Sequence, residues 1–347
     1  MKLTLADGLV IAGRPFGALR AVRGEVVFNT GMTGYVETLT DPSYRGQILV
    51  MTYPLAGNYG VPHGGYESDR IQVSGLVVTR HSAEPSHHLA VRGLGDWLRD
   101  SGVPAMDGVD TRSLTQHLRE HGTIGGVLAP LADGEAPAEV DMRTVVSQVV
   151  PRRVERHGGD VPVLVIDTGA KESIVRCLLE RGAAVTRYPF DGPWEDELGR
   201  ARGVLLTNGP GDPTDLMPLV ERIRRHLLGG TVPVFGICLG HQLLALAAGA
   251  STYKLKYGHR SMNQPVQEVG TGRAFVTSQN HGYAVDEATL PDGWEVWFRN
   301  LNDGTNEGIR HRTLPLCSVQ FHPEAAAGPR DTAPLFDAFL RAARGAA

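Results

Sequence analysis

The apolar residues of this chain fall into short runs bounded by glycine and proline, and the spacing of those runs changes part-way along. In the first half they read as strands: Glu25-Val-Val-Phe28, Gln47-Ile-Leu-Val-Met-Thr-Tyr53 and residues 71–79. Between the first two lies Asn29-Thr-Gly-Met-Thr-Gly-Tyr35-Val-Glu-Thr-Leu-Thr-Asp41-Pro-Ser43-Tyr44, crowded with small hydroxyl and turn residues. Taken alone, that stretch reads as a connecting loop. Residues 88–100 predict a helix ended by Gly102. Residues 110–122 predict another: Asp110 is placed to cap it, Leu114 and Leu118 share a face, and Gly122 closes it.

Residues 131–160 break this pattern. Pro130, Pro137 and Pro151 punctuate the region, and Arg152-Arg-Val-Glu-Arg-His-Gly-Gly-Asp160 is polar, so a linker is expected between domains at 1–130 and 161–347, with one short helix near 141–149. Beyond it, apolar runs at 162–166, 183–188 and 203–207 alternate with helical patterns at 171–181, 195–200 and 216–228. Strands alternating with helices at this spacing predict an α/β unit with a mostly parallel, doubly wound sheet and a site at the carboxyl edge of its strands. In the 216–228 pattern Val220, Ile223 and Leu227 face inward, while Arg222, Arg224 and Arg225 read as a solvated face. The tail reads as hairpin pieces around Thr277, 294–298 and 316–321, then a helix over 333–343.

Composition narrows the function classes. The chain has 347 residues, 41% hydrophobic and 21% charged, with a net charge of −4, so no basic field invites nucleic acid. Its three cysteines, Cys177, Cys238 and Cys317, are too few and too irregular for a disulfide framework, which fits a reducing cytoplasm. The opening Met1-Lys-Leu-Thr-Leu-Ala-Asp7 has an acidic residue where a signal peptide needs an unbroken apolar core, so none is expected there, and no apolar run reaches membrane-spanning length.

The candidate chemistry centres on Val232-Pro-Val-Phe-Gly236-Ile-Cys238-Leu-Gly240-His-Gln242. Residues 232–235 read as a strand that breaks at Gly236, and residues 241–248 as a helix. A cysteine flanked two residues either side by glycine, between strand and helix, is a nucleophile elbow with sulfur in place of hydroxyl. The glycines keep side chains out of a strained turn, and the helix start favours thiolate. Cys177 and Cys317 read as inert core residues.

A thiol nucleophile needs a base, and His241, His281 and His322 are the candidates. His241, three residues on, lies about 300° around the helix axis. His281 sits in a turn-like Gln279-Asn-His-Gly-Tyr283. His322-Pro-Glu324 ends an expected strand and supplies a base and a carboxylate to orient it within three residues. Asn208-Gly209-Pro-Gly211-Asp-Pro213 follows another strand at the same edge, where its backbone N–H groups suit an oxyanion hole. No phosphate cradle is present in it, and the Cys-x-x-His spacing has no partner pair, so no metal site is expected.

These motifs resemble a known family. Gly236-Ile-Cys238-Leu-Gly-His-Gln242, Asn208-Gly-Pro-Gly-Asp-Pro213 and His322-Pro-Glu324 are similar to the class I, triad-type glutamine amidotransferases. Gly24-Glu-Val-Val-Phe-Asn-Thr-Gly-Met-Thr-Gly-Tyr35, Leu39-Thr-Asp-Pro-Ser-Tyr44, Val109-Asp-Thr-Arg112, Asn280-His-Gly-Tyr-Ala-Val285 and Leu301-Asn-Asp-Gly-Thr-Asn-Glu-Gly308 resemble the small subunits of carbamoyl phosphate synthetases. The resemblance implies an N-terminal mixed β/α domain followed by a class I amidotransferase domain. It implies Cys238 as nucleophile, His322 as proton carrier, Glu324 as its orienter, and the N–H groups of Gly209 and Leu239 as the oxyanion hole. Gly209, Gly211, Leu239, Gln242, Asn280, Gly282 and Tyr283 match positions that hold L-glutamine, Ser43 matches one from the first domain, and Lys171 matches a lysine near the domain junction. It further implies a heterodimer or higher oligomer with a large subunit that carries ATP and Mg and receives ammonia to make carbamoyl phosphate for arginine and pyrimidine synthesis. No cofactor is expected in this chain. The rival readings are the glutaminase of another amidotransferase and a non-catalytic assembly or regulatory subunit.

Overall fold

The computed structural model describes residues 1–132 and 141–345, in two units, Met1–Met142 and Arg143–Ala347. The first is built on an eight-stranded mixed sheet. Its middle strands Val22–Asn29, Gln47–Met51, Gly75–Val77 and Ala105–Asp107 run parallel. Lys2–Leu5, Val10–Ala12, Ile124–Ala129 and Arg14–Pro15 flank them antiparallel. The 110–122 helix forms as expected, as Thr111–His121, with the Asp110 carboxylate accepting the Ser113 N–H at 3.0 Å and Gly122 at φ 90° closing it.

Three expectations for this unit change. The 29–44 segment is not a plain loop: it carries the helix Tyr35–Thr40 and the single turn Pro42–Tyr44. Tyr35, Val36, Leu39 and Tyr44 are buried in the core, a helical pattern that the intervening threonines obscured. The helix expected over 88–100 is only Leu94–Asp100, because Leu89 and Val91 are exposed and give the earlier residues no apolar face, while Gly93 in extended backbone starts the helix. The strand expected over 71–79 pairs only through Gly75–Val77.

The second unit has a ten-stranded sheet in the order Glu155–Arg156, Ala183–Pro189, Val161–Asp167, Gly203–Leu206, Val234–Ile237, Leu316–Val319, Asn306–His311, Trp294–Asn300, Ser251–Glu268, Ala274–Asp286. The five strands from Ala183–Pro189 to Leu316–Val319 are parallel. Alternation along them sorts two cores. Leu164, Ile166, Val204, Leu206 and Val234 face the helices Met217–Leu227 and Leu239–Ala248. Val163, Val165, Leu205, Phe235 and Ile237 face Glu172–Leu179 and Pro334–Gly345. Helices therefore cover both faces, the doubly wound arrangement expected.

Residues 133–140 of the expected linker lie outside the described residues. Of its remainder, Glu155–Arg156 is an edge strand of the second sheet, held where Arg187 donates to Glu155 at 3.1 Å, and the helix expected near 141–149 is only the turn Val146–Gln148. The arginine face of Met217–Leu227 is not simply solvated. Arg222 donates to Glu195 at 2.6 Å and lies over the buried Trp194 ring, and Arg224 donates to the carbonyls of Leu246 and Ala247 at the end of the next helix. Their aliphatic stems and forked heads reach back to polar groups that the periodicity does not reveal. Among the described residues no helix is long and apolar enough to cross a membrane.

Candidate active site

The central strand is Val234–Ile237, two residues later than the sequence reading, so Gly236 lies inside it and the chain turns at Cys238 itself. The helix then begins at once, as Leu239–Ala248, with every residue from 239 to 247 buried. Hydrophobicity all round is what a helix enclosed by the sheet and its neighbours requires. Cys238 has φ 55° and ψ −103°, a conformation that costs a non-glycine residue roughly 1–3 kcal/mol. Its N–H donates to the Val319 carbonyl at 2.9 Å, which ties the turn to the neighbouring strand.

The flanking glycines are explained by contact. A Cβ on Gly236 would lie 2.6 Å from the Gly240 carbonyl oxygen, and one on Gly240 would lie 2.2 Å from the Leu206 carbonyl oxygen. Gly240→Ala is expected to lower stability by about 2–3 kcal/mol, because backbone rather than a movable side chain must give way. A urea unfolding midpoint equal to that of the parent protein would show that the turn relaxes without cost.

His322 lies just beyond Leu316–Val319, the parallel neighbour of the Cys238 strand, and its N–H donates to the Ser278 carbonyl at 2.9 Å. Its Nδ1 is 2.6 Å from Glu324 Oε1, and both side chains are buried. Burial works against charge on the His322 ring, but Glu324 foremost, with Cys238 also acting on the ring, raises its pKa. Nε2 is left without a conventional hydrogen-bond partner, so the nitrogen not held by Glu324 is available for proton exchange.

Glu324 has a further partner that the sequence does not disclose. Lys171 Nζ lies 3.0 Å from Glu324 Oε1 and donates to the Ala325 carbonyl at 2.7 Å, with the two side chains 4% and 0% exposed. Burial would raise the Glu324 pKa; Lys171 first and His322 second bring it below the ordinary carboxylate value. Lys171 thus lies inside the second unit, against the site. No local pattern signals a contact spanning 154 positions.

The other histidines are placed differently. His241 is buried, its Nδ1 lies 2.9 Å from Ser318 Oγ, and burial pushes its pKa down to about 3. His281 Nδ1 donates to the Tyr283 carbonyl at 2.8 Å, and burial, then the nearby His259, holds its pKa well below the usual value.

Several further sequence candidates of the second unit gather here. The Cys238 thiol donates to the Asn280 carbonyl at 3.7 Å. Gln242 Nε2 donates to the Tyr283 carbonyl at 2.9 Å and to Gln320 Oε1 at 3.0 Å, and Gln320 was not foreseen. Gly282 lies on the same strand between Asn280 and Tyr283. Leu239 is the first residue of its helix, where the N–H has no intrahelical acceptor. Gly209 and Gly211 follow the adjacent strand Gly203–Leu206; a Cβ on Gly209 would lie 2.1 Å from the Thr168 carbonyl oxygen, and Gly211 has φ 92°. Ser43 is in the first unit, on the turn Pro42–Tyr44, where the Asp41 carboxylate accepts its N–H at 2.9 Å. Cys317 is buried at its sulfur, which pushes the thiol up to about 12, and burial raises the Cys177 thiol as well. Both suit inert packing.

Comparison with known proteins agrees with this geometry. The family model described as glutamine amidotransferase class-I matches residues 164–342, and that described as carbamoyl-phosphate synthase small chain, CPSase domain, matches residues 3–128. The carbamoyl phosphate synthase small chain of Symbiobacterium thermophilum is 51% identical over 97% of this chain and 96% of its own length. The carbamoyl phosphate synthase arginine-specific small chain of Aspergillus oryzae is 47% identical over 98% of this chain and 80% of its own, and that of Aspergillus niger is 48% identical over 97% and 78%. With both halves matched and the nucleophile elbow set beside a buried histidine–glutamate pair, the chain belongs to the carbamoyl phosphate synthase small chain family.

Proposed function

We propose that Cys238 is the nucleophile through which this carbamoyl phosphate synthase small chain hydrolyses L-glutamine, with His322 carrying protons and Glu324 orienting it. The observation that carries this reading is the buried His322–Glu324 pair, 2.6 Å apart, with Cys238 acting on the same ring from a strained turn. Sulfur attacks the side-chain amide carbon of glutamine as its proton passes to His322 Nε2. The N–H groups of Gly209 and Leu239 receive the developing oxyanion. His322 returns the proton to the departing nitrogen, ammonia leaves, and a thioester remains. Water then attacks the thioester while giving a proton to His322. The C–S bond breaks, the proton returns to sulfur, and glutamate is released.

Asn280, Gly282, Tyr283, Gln242 and Gly211 hold the glutamine backbone and amide. A small chain acts with a large chain. The ammonia passes to that partner, which binds ATP and Mg and makes carbamoyl phosphate from bicarbonate. The product serves arginine and pyrimidine synthesis in the cytoplasm, and this chain itself needs no cofactor. The test is reconstitution: mixed with a large chain, the protein is expected to support carbamoyl phosphate synthesis from glutamine, bicarbonate and ATP. Synthesis from added ammonia but never from glutamine would refute the reading.

Glu324→Gln is expected to weaken glutamine hydrolysis while sparing at least about tenfold more activity than loss of the nucleophile leaves, since Glu324 orients and does not transfer the proton. Steady-state glutaminase rates of the two variants decide it. Equal losses would assign Glu324 a direct part in the chemistry.

A further inference from the structure

A second buried polar cluster stands behind the substrate strand, and the triad does not use it. Ser251–Glu268 and Ala274–Asp286 pair antiparallel with His259 opposite His281, Arg260 opposite Asn280 and Ser261 opposite Gln279. This short paired stretch is isolated: the register slips between Lys254 and His259 on one side and between Ser261 and Gln264 on the other. A ladder interrupted at both ends fixes its strands poorly, so side chains must hold the register.

His259 does this from the middle of the stretch. Its Nε2 is 2.8 Å from Asp303 Oδ2, and its Nδ1 is 3.0 Å from Gln279 Oε1 and 3.3 Å from Glu307 Oε1. Asp303 and Glu307 thus set a carboxylate oxygen near each ring nitrogen, and the two offset the charge of an imidazolium. Burial disfavours that charge, but Asp303 and then Glu307 raise the His259 pKa to about 9. Glu307 is itself fully buried and fixed by Asn300 Nδ2 at 2.8 Å. From His259 the contacts pass to Gln279 and to His281, whose ring stands edge-on to it at 4.9 Å. His281 Nε2 lies 3.1 Å from the same Gln279 oxygen, and its Nδ1 holds the Tyr283 carbonyl. That carbonyl takes the Gln242 amide, and the Asn280 carbonyl takes the Cys238 thiol.

We propose that His259, clamped between Asp303 and Glu307, is a positioning residue for glutamine: through Gln279 and His281 it holds residues 280–283 against Cys238 and Gln242. This rests on the glutaminase reading above and deepens it. His259 acts on binding, because the atoms it steadies border the substrate and take no part in proton transfer. Ring nitrogens of His259 and His281 and a carboxylate oxygen of Glu307 lie within 4.8 Å of one another, a spacing that a metal ion can also bridge.

The test uses the reconstituted complex of this chain with its large chain. His259→Gln is expected to raise the KM for glutamine at least about tenfold while kcat falls less than about threefold, with synthesis from added ammonia unchanged. Asp303→Asn, at a half-exposed side chain, is expected to move KM the same way by about threefold without endangering folding. An unchanged KM in both variants, or a fall in kcat alone, overturns the proposal. So does one equivalent of a transition metal in the purified complex by elemental analysis, since the tie would then be an ion and not the protonated ring. A parent complex that does not hydrolyse glutamine defeats the broader reading, whereas an active parent with an indifferent His259→Gln variant defeats only this one.

Discussion

Cys238→Ser is expected to cut glutamine hydrolysis by at least about a thousandfold while leaving carbamoyl phosphate synthesis from added ammonia intact in the complex with the large chain. Serine keeps the size and the turn, so the effect isolates the nucleophile. A hydroxyl gives up its proton far less readily than a thiol, so serine at this turn is a much poorer nucleophile. His322→Asn is expected to add little in the Cys238→Ser background, since nucleophile and base act as one unit. Glutaminase rates with and without the large chain, beside an ammonia-dependent assay, separate the outcomes. If the serine variant hydrolyses glutamine as well as an active parent, Cys238 is not the nucleophile; if neither hydrolyses it, the chain is a non-catalytic assembly subunit.

The parts of this site that sequence discloses share one property: their chemistry is local. Gly236, Cys238 and Gly240 declare an elbow because a sharp turn needs small residues at fixed offsets, and the close approach of Gly240 to Leu206 shows why. His322 and Glu324 declare a base and its orienter because two residues of separation suffice for the 2.6 Å contact. Even here the strand ran two residues further than its apolar run predicted, because Gly236 carries no side chain to count as apolar yet still pairs in the sheet. Distant partners were not legible. Lys171 meets Glu324 across the unit, and His259 meets Glu307 across two strands. The 29–44 segment shows the converse failure. Its threonines and glycines read as loop, yet Tyr35 and Leu39 bury a helix whose core contacts come from other strands. Local propensity is a weak guide wherever tertiary burial decides.

Lys171→Met is expected to destabilise the protein by about 3 kcal/mol near neutral pH, the lower end of the usual cost of breaking a buried ion pair. The reasoning starts from burial. Lys171 is 3% exposed, methionine is close to it in length, and the apolar part of the side chain can be replaced without a cavity. What is lost is the largest influence holding the Glu324 pKa down, in a carboxylate that is fully enclosed. His322 remains as its second partner, which is why the cost falls at the lower end. The pH dependence follows from the sign of the shift. A carboxyl whose folded pKa lies below its ordinary value of 4.5 contributes stability above that value and loses it as pH falls through the folded pKa. The deficit of the variant is therefore greatest above the ordinary carboxylate range and shrinks in acid, as Glu324 takes up a proton and no longer needs a cation. Adding Glu324→Gln to Lys171→Met removes both charges at once and is expected to recover much of the loss, because neutral groups of similar shape replace an uncompensated ion. Urea unfolding of the single and double variants at pH 7 and pH 4 measures all of these. A single variant equally destabilised at both pH values, or a double variant worse than the single, would show that Lys171 acts by packing and by its bond to the Ala325 carbonyl, not by pairing with Glu324.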